Sequence, residues 1–232
     1  QKTAYEIVSR DWSSDVCSSD LGAFTMYNAD MTAFGTTLSV LGTSDSFLVK
    51  YGRTTVGAVQ WTARLAGAGA NDKVNGITTD SLNNIYACGN YNGSSLTAYN
   101  ADGTSAGTCV VNQIGGFDGF LAKYNSSGVV QWIARNGGTS TDYTNLVTSD
   151  ASDNVYISTA PSSNPCSIYN ASGTAFANTI AGGGSVSTLI KYNSAGVVQW
   201  AAKQTNSGGT YELATDAGSN IFVTGQYFNS IL

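Results

Sequence analysis

Three sets of landmarks keep step along this chain at a spacing of about seventy residues. Trp61, Trp132 and Trp200 lie 71 and 68 residues apart. The pairs Lys50-Tyr51, Lys123-Tyr124 and Lys191-Tyr192 lie 73 and 68 apart, and Tyr27-Asn28, Tyr99-Asn100 and Tyr169-Asn170 lie 72 and 70 apart. A fixed period of this kind means one supersecondary unit stacked on copies of itself, each covering an apolar face that its neighbour exposes.

Within a period the signals are those of short strands and tight turns. In Phe120-Leu121-Ala122-Lys123-Tyr124, alternation puts Phe120, Ala122 and Tyr124 on one face. Asn125 to Gly128 then turns the chain, with Gly128 free to take the left-handed conformation of a hairpin loop, and Val129 to Arg135 returns as the partner strand. The third copy repeats this with Leu189 to Tyr192, Asn193 to Gly196 and Val197 to Trp200. The first copy takes ten steps from Tyr51 to Trp61, where the second takes eight from Tyr124 to Trp132, and an insertion is tolerated at a hairpin tip.

A second hairpin turns at Asp80 to Asn84, Asp150 to Asn154 and Asp216 to Asn220. In each, the Asp is suited to accept turn amides and the Asn to tolerate the left-handed region. Two hairpins give four strands per period, the content of one propeller blade. The stretches around Tyr99-Asn100 and Tyr169-Asn170 add a further hairpin between the second and third strands. Asn100-Ala101-Asp102-Gly103 reads as a plain turn, because a calcium loop needs more oxygen ligands at alternating positions.

The order Asp-x-Phe-Leu-x-Lys-Tyr (Asp118 to Tyr124), Gly-Val-Val-Gln-Trp (Gly128 to Trp132), Gly137-Gly138 through Asp142, and Asp150 to Tyr156 resembles the SBBP type of bacterial β-propeller repeat. The resemblance extends over residues 22–232, with departures at Val186 and Gly208, which replace the Asp45/Asp118 and Asp72/Asp142 positions. It implies a propeller in an exported or surface protein and brings no catalytic residue with it.

Residues 1–21 stand outside the repeat and resemble a translated sequencing adapter: Asp11 to Leu21 matches one part of it and Gln1 to Ile7 its outer end. The expected organisation is therefore a non-native segment, 1–21, followed by one fragment of a β-propeller repeat domain, 22–232. The repeat opens on a third and fourth strand, holds two whole blades and closes on a first and second strand. The expected fold is all-β, an incomplete β-propeller of about three four-stranded blade equivalents with extended hairpins, arranged as an open arc. The missing blades of the full-length chain would be its natural neighbours. An uncovered large aromatic at an open end forfeits up to about 4–6 kcal/mol, so the fragment alone is expected to aggregate.

Residues 22–232 carry 8 basic and 11 acidic side chains, a balance unsuited to a phosphate-binding surface, and no nucleic-acid partner is expected. No integral membrane segment is visible. Low charge with abundant Gly, Ser, Thr, Asn and aromatic residues fits an exported protein at the bacterial cell surface or outside the cell. The chain contains no histidine, which excludes a Ser-His-Asp triad within it. Cys88, Cys109 and Cys166 do not recur between copies and show no zinc spacing; they read as buried apolar residues, with an oxidised pair as the alternative. Neither a cofactor nor a metal is expected.

The function these features favour is a noncatalytic scaffold or binding module for a polysaccharide or a protein. Tyr27, Tyr99 and Tyr169 are candidates for stacking on sugar faces, with Asn100 and Asn170 beside them. One alternative is a hydrolase or lyase whose paired carboxylates, Asp72 and Asp142, face the central channel. Another is an architectural segment of a larger adhesin.

Overall fold

The structure, a computed structural model, describes residues 24–52, 57–68, 71–183 and 186–228, and the adapter-like segment lies outside them. The regular structure of the described residues is entirely β. In the first part of the chain it runs β1 (Phe24–Tyr27), β2 (Ala33–Leu38), β3 (Ser46–Tyr51), β4 (Val59–Ala66), β5 (Asn71–Thr79), β6 (Ile85–Asn92), β7 (Ser95–Tyr99) and β8 (Ser105–Asn112). It continues through β9 (Asp118–Tyr124), β10 (Val130–Gly137), β11 (Asp142–Ser149), β12 (Val155–Pro161), β13 (Ser167–Ile168), β14 (Val186–Tyr192), β15 (Val198–Thr205), β16 (Ser207–Thr215) and β17 (Ile221–Tyr227).

Two complete blades are present, β5-β6-β9-β10 and β11-β12-β14-β15, each an antiparallel meander. The hairpins β3-β4 before them and β16-β17 after them supply the last two and first two strands of further blades. The fold is thus the expected open, incomplete propeller.

Interior strands are buried on both faces, and their alternation feeds two different cores. From β9, Phe120, Ala122 and Tyr124 join Leu48, Ala63 and Leu65 of the preceding blade, whereas Leu121 joins Val155, Ile157 and Tyr192 of the following one. The strand β6 divides in the same way, Ile85, Ala87 and Tyr91 to one side and Tyr86 and Cys88 to the other. A run such as Phe120 to Tyr124 therefore needs apolar residues at successive positions, because both sheet faces are covered. Cys88, Cys109 and Cys166 are buried within these cores.

The turns follow the sequence closely, with one correction. Gly128 and Gly196 take φ values of 78° and 76° at the tips of β9-β10 and β14-β15. In the turns of β5-β6, β11-β12 and β16-β17 the left-handed residue is Asn83, Asp153 or Ser219, one position before the repeated Asn. That Asn instead donates from its side chain to the turn Asp, as Asn154 does to Asp150 at 2.9 Å. The carboxylate needs a donor there more than the backbone needs a tolerant residue.

The inserted hairpin holds a second surprise. Although β7-β8 interrupts its own blade, β7 pairs with β4, the outermost strand of the preceding blade, with Leu65 opposite Ala98. In the next copy the insertion shrinks to β13, yet Ile168 still pairs with Asn136 of β10. Each insertion thus straps its blade to the outer edge of the one before.

Candidate functional site

A recurring clamp joins successive blades. In each outer strand the register slips by one residue at Gln60, Gln131 or Gln199, which brings Trp61 opposite Lys50, Trp132 opposite Lys123 and Trp200 opposite Lys191. A bulge re-aims side chains in this way. The two prongs then reach the same carbonyl on the next blade: Lys50 Nζ donates to Ser126 at 2.8 Å and Trp61 Nε1 at 3.2 Å. One blade on, Lys123 Nζ and Trp132 Nε1 donate to Ser194 at 3.0 and 3.2 Å. Gly128 is required beneath Trp61, because a Cβ there would stand 2.9 Å from the indole and 2.7 Å from Ala101; Gly196 stands likewise against Trp132 and Ala171. Burial outweighs the attraction of Asp80 and lowers the pKa of Lys123.

The candidate contact residues lie on the straps. Asn100 and Asn170 are occupied at both ends: the Asn100 side chain accepts from the Val130 amide at 2.8 Å and donates to Thr104, and Asn170 accepts from Val198 at 2.8 Å and donates to Thr174. They tie strap to blade. Tyr99 and Tyr169 are half-buried, and each carries a guanidinium over its ring, Arg64 at 4.2 Å and Arg135 at 3.9 Å. Tyr27 is exposed on β1. Asp102 Oδ1 accepts from the Thr104 amide and hydroxyl at 2.9 and 2.6 Å, which accounts for this loop as a turn.

Sequence reasoning overlooked the arginines, although Arg64 and Arg135 both stand three residues after a repeat tryptophan; Lys203 takes that place in the third copy. The spacing was available as a signal. What it could not show is that an arginine of one blade meets a tyrosine on a strap inserted into the next.

The acidic candidates lie between blades. Asp142 is fully buried and accepts from the amides of Gly138 and Ser163 at 2.9 Å each and from the Ser163 hydroxyl at 2.5 Å. Asp118 beside it accepts from the Ile114 amide at 2.7 Å, and burial, with the charge of Asp142 adding to it, pushes its carboxyl up to about 6. Asp72, the counterpart of Asp142, is also buried, but Gly93 stands where Ser163 would be and gives its amide to Gln113. Neither oxygen of Asp72 has a hydrogen bond of normal geometry among the described residues, and burial pushes its carboxyl up to about 7, against hydrogen-bonding influence from the Gly67 amide. The carboxylates are therefore brought together, Asp45 with Asp72 and Asp118 with Asp142, but the Asp72 and Asp142 positions are closed to solvent. That geometry works against a channel-facing acid–base pair. No group of three or more His, Cys, Asp or Glu placed to hold a metal occurs among the described residues.

A stretch of 94 residues is 39% identical to an uncharacterized WD repeat-containing protein, L264, of Acanthamoeba polyphaga mimivirus. The match takes in 40% of this chain and 6% of that relative, so the chain spans a small part of the relative's length. Residues 60–96, which run from β4 through β5 and β6 into β7, match the family model of the SBBP β-propeller repeat, and this stretch is such a repeat.

Proposed function

We propose that the protein is a noncatalytic binding module, exported or held at a cell surface, whose straps on successive blades form a contact surface for a polysaccharide. The supporting observation is the Tyr–Arg couplet, Tyr99 with Arg64 and Tyr169 with Arg135, which recurs one blade apart. Each guanidinium covers one ring face and holds the tyrosine in place, so little side-chain freedom is lost when a flat partner stacks on the remainder. A repeating spacing of aromatic platforms suits a repeating polymer better than a single small molecule. A protein partner is the second reading, favoured by the enrichment of Tyr and Arg in protein interfaces. The low charge and Gly- and Ser-rich composition support a place outside the cytoplasm.

A glycan array and affinity electrophoresis in soluble polysaccharides test this. Binding is expected, with Tyr99→Ala and Tyr169→Ala each weakening it by roughly tenfold, the scale of about 1.4 kcal/mol per contact. Binding that survives both substitutions would remove the couplets from the site, and the absence of glycan binding would leave the protein reading.

A further inference from the structure

The charge of each couplet arginine is taken up from the protein side. Arg135 Nη1 donates to the Asn112 carbonyl at 3.1 Å, and the Tyr91 hydroxyl donates to the same oxygen at 3.0 Å. Close by is the fully buried Asp118: burial raises its pKa to about 6, and the charge of Arg135 pulls the other way. Arg64 is placed alike. Its Nη1 donates to the Ser39 carbonyl at 2.7 Å, and Asp45, the counterpart of Asp118, lines the same small cleft. Each junction also holds a second, buried carboxyl group, Asp142 or Asp72, so two acids stand behind one guanidinium. In the third copy both acids are replaced, by Val186 and Gly208, and the arginine is replaced too, by Lys203.

The strap tips add charge of the same sign. Asp102 is exposed three residues beyond Tyr99, and bonds from the Thr104 hydroxyl and amide hold its carboxyl below the usual range, so it is ionised at neutral pH. Asp30 and Thr32 repeat this arrangement on the first strap. The third strap has Ser172 instead, with its hydroxyl 2.9 Å from that of Thr174, and keeps the turn without a carboxylate. A neutral hydroxyl residue stands two positions before every strap tyrosine: Thr25, Thr97 and Ser167, all half-buried. A spacing of two puts it on the tyrosine's face of an extended chain.

We propose that the polymer bound by the couplets is uncharged: a neutral polysaccharide whose sugars lay flat C–H faces on Tyr99 and Tyr169 and share hydrogen bonds with Thr97 and Ser167. Acidic polysaccharides are turned away. A uronate or sulfate group would give up water beside two carboxyl groups and an exposed carboxylate, whereas a sugar hydroxyl only exchanges one hydrogen bond for another. The guanidinium does not offset this, because its flat side lies on the tyrosine and Nη1 is bound to a carbonyl, so its fork is not free for a bidentate pair. This rests on the polysaccharide reading above and adds the chemical class of the polymer.

Isothermal titration calorimetry of the whole chain with matched polymers tests it: hydroxyethylcellulose against carboxymethylcellulose, and dextran against dextran sulfate. Binding to a neutral member is expected, with its acidic partner at least about tenfold weaker at low salt and the gap narrowing as salt is added. Asp102→Ser, which the third strap already tolerates, is expected to strengthen binding of the acidic member by about threefold and leave the neutral one unchanged, and Ser172→Asp to do the reverse. An acidic member bound as tightly as its neutral partner, or a preference indifferent to salt and to both substitutions, overturns the inference while the polysaccharide reading stands. Binding to neither member of either pair, with none on the glycan array, removes that reading and the inference with it.

Discussion

Interior and terminal repeats carry nearly the same residues in different surroundings. Phe120 and Tyr124 in the middle are fully buried, while Phe47 and Tyr51, in the same places on the first repeat, are half-exposed. Trp132 grips the next blade, whereas Trp200 retains its ring contact with Tyr156 but lacks a turn beyond it among the described residues. The difference shows that a repeat encodes only half of each core. Stability in such an array is a sum of units and nearest-neighbour interfaces, so the same residue is worth more where both neighbours are present.

That contrast breaks most easily at the aromatics. Phe120→Ala is expected to cost about 3–5 kcal/mol in urea unfolding, and Phe47→Ala under about 1 kcal/mol in the monomer. Equal losses would show that the terminal face is already covered. Next comes the seat of the clamp: Gly196→Val meets both a left-handed backbone and the Trp132 indole and should cost about 2–4 kcal/mol. Gly173→Ala, also left-handed at φ 80° but with open space around it, should cost about 1 kcal/mol. Similar values for the two would remove the indole from the explanation.

The acid pockets sharpen the comparison further. Asp142→Asn gives up charge-assisted bonds from Gly138 and Ser163 and should destabilise by about 1–3 kcal/mol. Asp72→Asn should do the reverse above neutral pH. With a folded pKa raised to about 7, Asp72 binds its proton more tightly in the folded state, so its contribution is present at low pH and is lost as pH rises through 7. Thermal melts should show that loss between about pH 4, near the ordinary carboxylate value, and pH 7, and Asp72→Asn should remove the share that Asp72 contributes. A flat profile would mean that the carboxylate is partnered. The smallest effect is expected at the clamp donor: Trp132→Phe loses one hydrogen bond, about 1 kcal/mol, and Trp200→Phe less.

Much of the local structure was legible. The turns at Gly128 and Gly196, the alternation in Phe120 to Tyr124 and the carboxylate-capped turn at Asp150 depend on residues a few positions apart, and such interactions leave their mark in consecutive letters. Asp150 illustrates this well. Burial opposes its ionisation, but bonds from the Asn154 side chain and amide, the Tyr156 hydroxyl and the Ser152 amide outweigh it and hold the carboxyl below its usual range, all within six residues. The Tyr–Arg couplet was only half legible, since tyrosine and arginine each recur but the strap that unites them crosses between blades.

By itself, then, the sequence determined the period, the four-strand content of each unit and the hairpin turns, because periodic burial and backbone conformation are written residue by residue. Only the tertiary structure decided that the inserted hairpins pair backwards onto the preceding blade, that Lys and Trp close on one carbonyl of the next, and that Asp142 is satisfied while Asp72 is not. These depend on which units become neighbours across about seventy residues of chain. A side chain's environment at that range is set by packing, which no local pattern specifies.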